Sequence, residues 1–88
     1  MTQAIIYCIR TEDRPNLAAL VGELFDGFTI YTGIGYWRGV SEGAACIEII
    51  ASLEDAYKVD TLAGRIRSTN RQESIYVTST PTTLTDVR

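Results

Sequence analysis

Histidine does not occur anywhere in the chain. That removes the commonest general base, the commonest metal ligand and the usual charge switch near neutral pH. Serine and cysteine triads depend on such a base, so nucleophilic hydrolysis is disfavoured and no catalytic residue is assigned. Lysine is nearly missing too: Lys58 stands alone beside seven Arg. The formal net charge is −3, and an acidic chain lacks the basic excess of a nucleic-acid surface. The two cysteines, Cys8 and Cys46, have no metal spacing and lie in strand-like runs, so they are expected to be buried free thiols. Neither a metal nor a cofactor is expected. The first apolar run, Ala4 to Ile9, has six residues. It is too short to cross a bilayer and has no signal-peptide n-region, so a soluble, cytoplasmic protein without membrane attachment is expected.

What is present is concentrated between Gly27 and Leu53. This stretch is β-rich and holds five of the seven glycines and the only Trp. The 88 residues suit one domain. A chain this short buries only about 60–65% of its unfolded surface, so its stability margin is thin. With 45% apolar residues, self-association would extend the core.

Ala4–Arg10 has the β-branched and aromatic composition of a buried strand. Pro15 opens a helix with Asp13 as its N-cap, and Leu17, Leu20, Val21, Leu24 and Phe25 form one apolar stripe. Gly22 beside that stripe suits close packing on the sheet, and Gly27 suits a left-handed cap. Phe28–Arg38 and Gly43–Ala51 are the next strands, with Gly39 to Gly43 as the turn. By alternation Ile47 and Ile49 face the helices, while Cys46, Glu48 and Ile50 face away. Ser52 begins a capping-box-like helix start, followed by a stripe of Ala56, Val59, Leu62, Ala63 and Ile66, with Asn70 as the C-terminal cap. Glu73–Thr80 is the last strand, which Pro81 stops or confines to an edge.

The order β-α-β-β-α-β, with an antiparallel central hairpin and right-handed crossovers, predicts an α+β ferredoxin-like sandwich. Its antiparallel sheet has the order 4-1-3-2, with two helices on one face and the other face open. Residues 1–80 form the single domain, and 81–88 a Thr-rich tail or edge extension.

The hairpin carries the pattern G-x-T-I…G-x-G-x-W-x-G…E…I-E-I at Gly27, Thr29, Ile30, Gly33, Gly35, Trp37, Gly39, Glu42, Ile47, Glu48 and Ile49. Asn70, Gln72, Glu73, Ser74 and Ile75 complete it. In this the chain resembles a loose group of short proteins from bacteriophage genomes. The resemblance spans roughly residues 27 to 78. It implies a ferredoxin-like fold, phage origin and self-association, and it implies no activity. Small phage proteins commonly block host defences, by binding a defence protein or by sequestering a nucleotide signal.

The candidate ligand or interface residues are Tyr31, Gly33, Gly35, Trp37, Arg38, Glu42, Glu48 and Tyr76. Two glycines inside a strand cost stability, which a bulge, an overlying aromatic ring or close approach of a ligand would explain. Tyr31, Gly33, Gly35 and Trp37 share one face by alternation, and an aromatic face over glycines suits either ring stacking or a subunit interface. Glu48 is a carboxylate in an apolar strand, with Arg10 and Arg38 as possible mates. Glu42 and Glu48 are the one constellation left for acid–base catalysis. Arg65, Arg67, Asn70, Arg71 and Gln72 form a polar cluster that could hold an anion or simply be a solvated helix end.

Three readings follow. The first is a non-enzymatic oligomeric module whose open face binds a host protein or a small ligand. The second is a dimeric α+β-barrel enzyme with a Tyr/Trp/Glu-lined pocket; the third is a purely structural oligomer.

Overall fold

A computed structural model describes residues 2–88. Four strands, β1 (Thr2–Glu12), β2 (Thr29–Trp37), β3 (Val40–Ala51) and β4 (Tyr76–Leu84), form one antiparallel sheet in the order β2-β3-β1-β4. Two helices, α1 (Leu17–Gly22) and α2 (Ala56–Thr69), cover one face. This is the expected ferredoxin-like sandwich, with β1 and β3 as the two central strands.

Alternation sorts the residues by face. Tyr7 and Ile9 of β1 and Ala45, Ile47 and Ile49 of β3 pack against Leu17 and Val21 of α1 and Val59, Leu62 and Ile66 of α2. Each fully buried aliphatic side chain contributes roughly 1.5–3 kcal/mol. Tyr7 keeps its hydroxyl satisfied by donating to the Ser52 carbonyl at 2.9 Å. Burial holds the Tyr7 phenol above its ordinary pKa, and the carboxylates of Asp55 and Asp60 push it further up.

The helical stripes are placed as expected, but their ends differ. α1 is six residues long, and Leu24 and Phe25 leave it through N–H bonds to the Val21 carbonyl. Asp13 does not cap it: the Asp13 N–H bonds the Gly43 carbonyl and so prolongs the β1–β3 ladder. Asn16 takes the N-cap position without a side-chain bond to the helix. Gly27 is not left-handed: among the described residues Gly39 is the one positive-φ glycine. A Cβ on Gly22 would meet nothing within 4 Å, so close packing does not explain that glycine. Ser52 reaches the Asp55 carboxylate rather than a backbone N–H, because a single 3-10 turn (Leu53–Asp55) intervenes before α2.

At the far end of α2, Asn70 is the C-cap and Arg71 takes the left-handed conformation, with φ 54°. The Gln72 and Arg71 N–H groups bond the Arg67 and Ser68 carbonyls, which is a Schellman closure with Arg where Gly is usual. β4 begins at Tyr76 and continues through Pro81 to Leu84, so part of the Thr-rich segment is an edge strand paired with Thr2–Ile5.

The hairpin differs most from expectation. Its turn is Arg38-Gly39, with φ 50° and 79°, and Val40 to Gly43 belong to β3. Positive φ at both central residues gives a type I′ turn, whose twist matches the flanking strands. A six-residue helix spans only about 9 Å and a fourteen-residue one about 21 Å. A twelve-residue strand spans about 40 Å. The hairpin therefore runs out beyond its helical cover. Ile34 and Tyr36, on the helix side of β2, are 70% and 73% exposed. The molecule is accordingly long, 43 × 24 × 20 Å.

Candidate functional site

The β2–β3 register is one-for-one from Thr29↔Glu48 to Trp37↔Val40. No bulge interrupts it, so the glycines do not bend the strand. Tyr31, Gly33, Gly35 and Trp37 share the open face with Glu42, Ala44, Cys46 and Glu48 of β3. β1 adds Cys8 and Arg10 to that face, and β4 adds Tyr76 and Thr78.

A Cβ on Gly33 would meet nothing within 4 Å, so no ring lies over it. A Cβ on Gly35 would press on the Ala44 methyl at 3.3 Å. The strip Gly33, Gly35 and Ala44 is therefore bare backbone between the aromatics Tyr31 and Trp37. Two open clefts lie along it. One, of about 300 Å3, is lined by Tyr31, Gly33, Ala44, Cys46 and Arg10. The other, of about 450 Å3, is lined by Gly35, Trp37, Glu42, Tyr76, Gln72 and again Arg10. Both clefts are lined by Arg10, and the two together are termed the trough.

At one end of this trough the Tyr31 hydroxyl donates to the Glu48 carboxylate at 3.1 Å. That bond, then the charge of Glu48, raises the Tyr31 pKa, so the phenol stays protonated and donating at neutral pH. Glu48 thus takes its proton donor from Tyr31 and not from Arg10 or Arg38. Arg10 stands diagonally across the β1–β3 ladder from it without an ion pair. Arg38 sits in the turn, about 26 Å along β3, with its guanidinium 5.4 Å from the Trp37 ring centre. Glu42 and Glu48 lie on one face six residues apart, which is about 20 Å along a strand. Paired carboxylates of hydrolases stand about 5–9.5 Å apart, so these two do not work as a pair.

Three members of the polar cluster, Arg65, Asn70 and Gln72, are spent on structure. Arg65 bridges to Glu23 of the α1 side at 3.1 Å. The Asn70 side-chain carbonyl accepts from the Asn16 amide at 2.8 Å. Gln72 donates to the Thr11 hydroxyl at 2.6 Å and accepts from the Glu12 N–H at 3.2 Å. It stands in for the ladder where β4 has not yet begun. Asn70 and Gln72 thus tie the α2–β4 connection to α1 and β1.

Two features of the trough differ from what the sequence suggests. The sequence offers Arg10 only as a mate for Glu48, whereas it is the cation common to both clefts, without a carboxylate partner among the described residues. Cys8 and Cys46 are not free: they form a disulfide between the central strands, with Cα atoms 6.1 Å apart. The register puts them on diagonal positions of one face, Cys8 opposite Glu48 and Cys46 opposite Arg10. Such bridges are rare in reducing cytosol, so this one does not follow from the cytoplasmic expectation. Among the described residues, no group of His, Cys, Asp and Glu could hold a metal ion, and no helix is long and apolar enough to cross a membrane.

No protein-family model and no curated protein matches the chain. Solved structures share its fold. A phage SAM lyase in complex with S-methyl-5'-thioadenosine superposes with a TM-score of 0.69 at 20% identity, covering 88% of this chain and 80% of that one. CPII, a nitrogen regulatory PII-like protein from Thiomonas intermedia bound to ADP, AMP and bicarbonate, gives 0.69 at 13% identity, covering 99% and 98%. CutA1 from Oryza sativa gives 0.67 at 12% identity, covering 97% and 84%. At these identities the likeness establishes the ferredoxin-like fold.

Proposed function

We propose that this protein is a small self-associating module that binds an adenine nucleoside or nucleotide in the trough on its open sheet face. The observation that carries this reading is the Tyr31–Glu48 pair at the end of a bare glycine floor. A carboxylate with free lone pairs accepts from the two hydroxyls of a ribose. Backbone without side chains lets a flat ring approach, and Tyr31 and Tyr76 offer faces for it to stack on. The phage SAM lyase and the PII-like protein, both of this fold, hold adenine compounds, which supports the choice of ligand. Arg10 supplies the one cation of the trough, and a phosphate would be placed there.

The resemblance to bacteriophage-genome proteins supports a phage setting, in which holding a nucleotide signal away from the host would blunt a defence. A host protein is the other partner of that setting. Expression in a host whose defence uses such a signal should restore phage plating, and the Glu48→Gln variant should not.

The binding test uses Trp37, the only Trp and a wall of the trough, as reporter. Titration with S-methyl-5'-thioadenosine, AMP and ADP should change its emission saturably. Tyr31→Phe and Glu48→Gln should each weaken binding about tenfold or more. Arg10→Gln should weaken AMP and ADP and spare the thioadenosine. No saturable change with any of the three ligands contradicts the reading.

A further inference from the structure

The two ends of β3 carry complementary features. At its start the hairpin turn projects, with Trp37 67% and Val40 68% exposed. Arg38 stands over the Trp37 ring and has no carboxylate partner among the described residues. Just past its other end lies a recess of about 640 Å3, lined by Ala4, Ile5, Leu53, Glu54 and Pro81 among others. Leu53 is 74% exposed there, and Glu54 at the rim makes no ion pair among the described residues. Twelve residues of strand separate turn and recess, about 40 Å, so a chain cannot fill its own recess with its own turn.

We propose that the Trp37-Arg38 turn of one copy seats in the Leu53-Glu54-Pro81 recess of the next. This rests on the self-association proposed above and names the surfaces that carry it. The indole meets Leu53, Pro81 and Ile5, an apolar wall of the kind that anchors interface aromatics. Arg38 meets Glu54, and two unpaired surface charges of opposite sign satisfy each other. The alternative contact, turn against turn about a two-fold axis, would bring Arg38 toward Arg38 and leave the recess empty. A turn-to-recess contact joins different surfaces, so repeating it closes a ring or builds a filament. Gly35, Trp37 and Glu42 of the trough adjoin the turn, so the ligand site lies beside the subunit boundary.

Sedimentation velocity across a dilution series, with Trp37 emission read on the same samples, tests this. The wild type should associate with a blue shift as the indole leaves water. Arg38→Glu and Glu54→Arg should each weaken association about tenfold, and the double swap should recover it to within about threefold. Trp37→Ala should weaken it about thirtyfold. All three positions are exposed in the single chain, and circular dichroism checks that each variant folds. Association unchanged by both charge reversals overturns the docking mode and leaves self-association standing. So does strengthening by Arg38→Gln, which removes the like-charge repulsion, with no effect of Glu54→Arg, the signature of turn against turn. A wild type that is monomeric at all concentrations overturns both proposals.

Discussion

Gly33 is the residue on which the ligand reading is most exposed to test. Nothing within 4 Å opposes a side chain there, and a β-strand gains from having one. Gly33→Leu should therefore keep or raise the melting temperature while filling the trough and weakening nucleoside binding about tenfold or more. A loss of stability instead would mean that the glycine serves the strand. Alternation alone placed Tyr31, Gly33, Gly35 and Trp37 on one face. What alternation could not supply was the partner of Glu48, because cross-strand pairing depends on register. The two-residue turn sets that register, and the five-residue turn expected from Gly39 to Gly43 would have set another.

Tyr7 gives a second prediction at this scale. Its hydroxyl bonds the Ser52 carbonyl, so Tyr7→Phe should cost about 1 kcal/mol at neutral pH. The folded-state pKa is raised above the ordinary value of about 10. The unfolded chain therefore releases this proton first as pH rises, and the stability Tyr7 contributes is present below pH ~10 and is lost above it. Denaturant unfolding from pH 8 upward should show the gap between wild type and variant narrowing beyond about pH 10. A gap that stays constant would contradict the assignment.

Among the elements, α2 is the best formed and also carries an avoidable weakness. Gly64 sits in its interior, exposed, where an added Cβ meets nothing within 4 Å. Gly64→Ala should stabilise the fold by about 1 kcal/mol. The melting temperature should rise by roughly 4–8 °C in a domain of this size. Thermal unfolding followed by circular dichroism checks this, and no rise would mean that the glycine is needed for something docked on α2. The stripes of both helices were legible because their burial repeats every three or four residues. Their ends were not. Asp13 has the composition of an N-cap, yet a strand that continues to Glu12 takes its N–H into the sheet. The left-handed positions fall on Arg38 and Arg71, residues whose type gives no warning of positive φ.

For the whole molecule, strand order was legible from β-α-β-β-α-β and the handedness of crossovers, which leave few alternatives. Its proportions were not, because they depend on how far the hairpin outruns a six-residue α1. That mismatch leaves Ile34 and Tyr36, on the helix side of the hairpin, uncovered. An exposed apolar edge without charge from Thr29 to Trp37 invites pairing with another chain.

Self-association and ligand binding meet in one experiment, native mass spectrometry of the protein with and without added S-methyl-5'-thioadenosine and AMP. The account predicts assemblies of several chains that take up these compounds, with uptake reduced in Glu48→Gln. Monomers alone, or assemblies that take up neither compound, would contradict it.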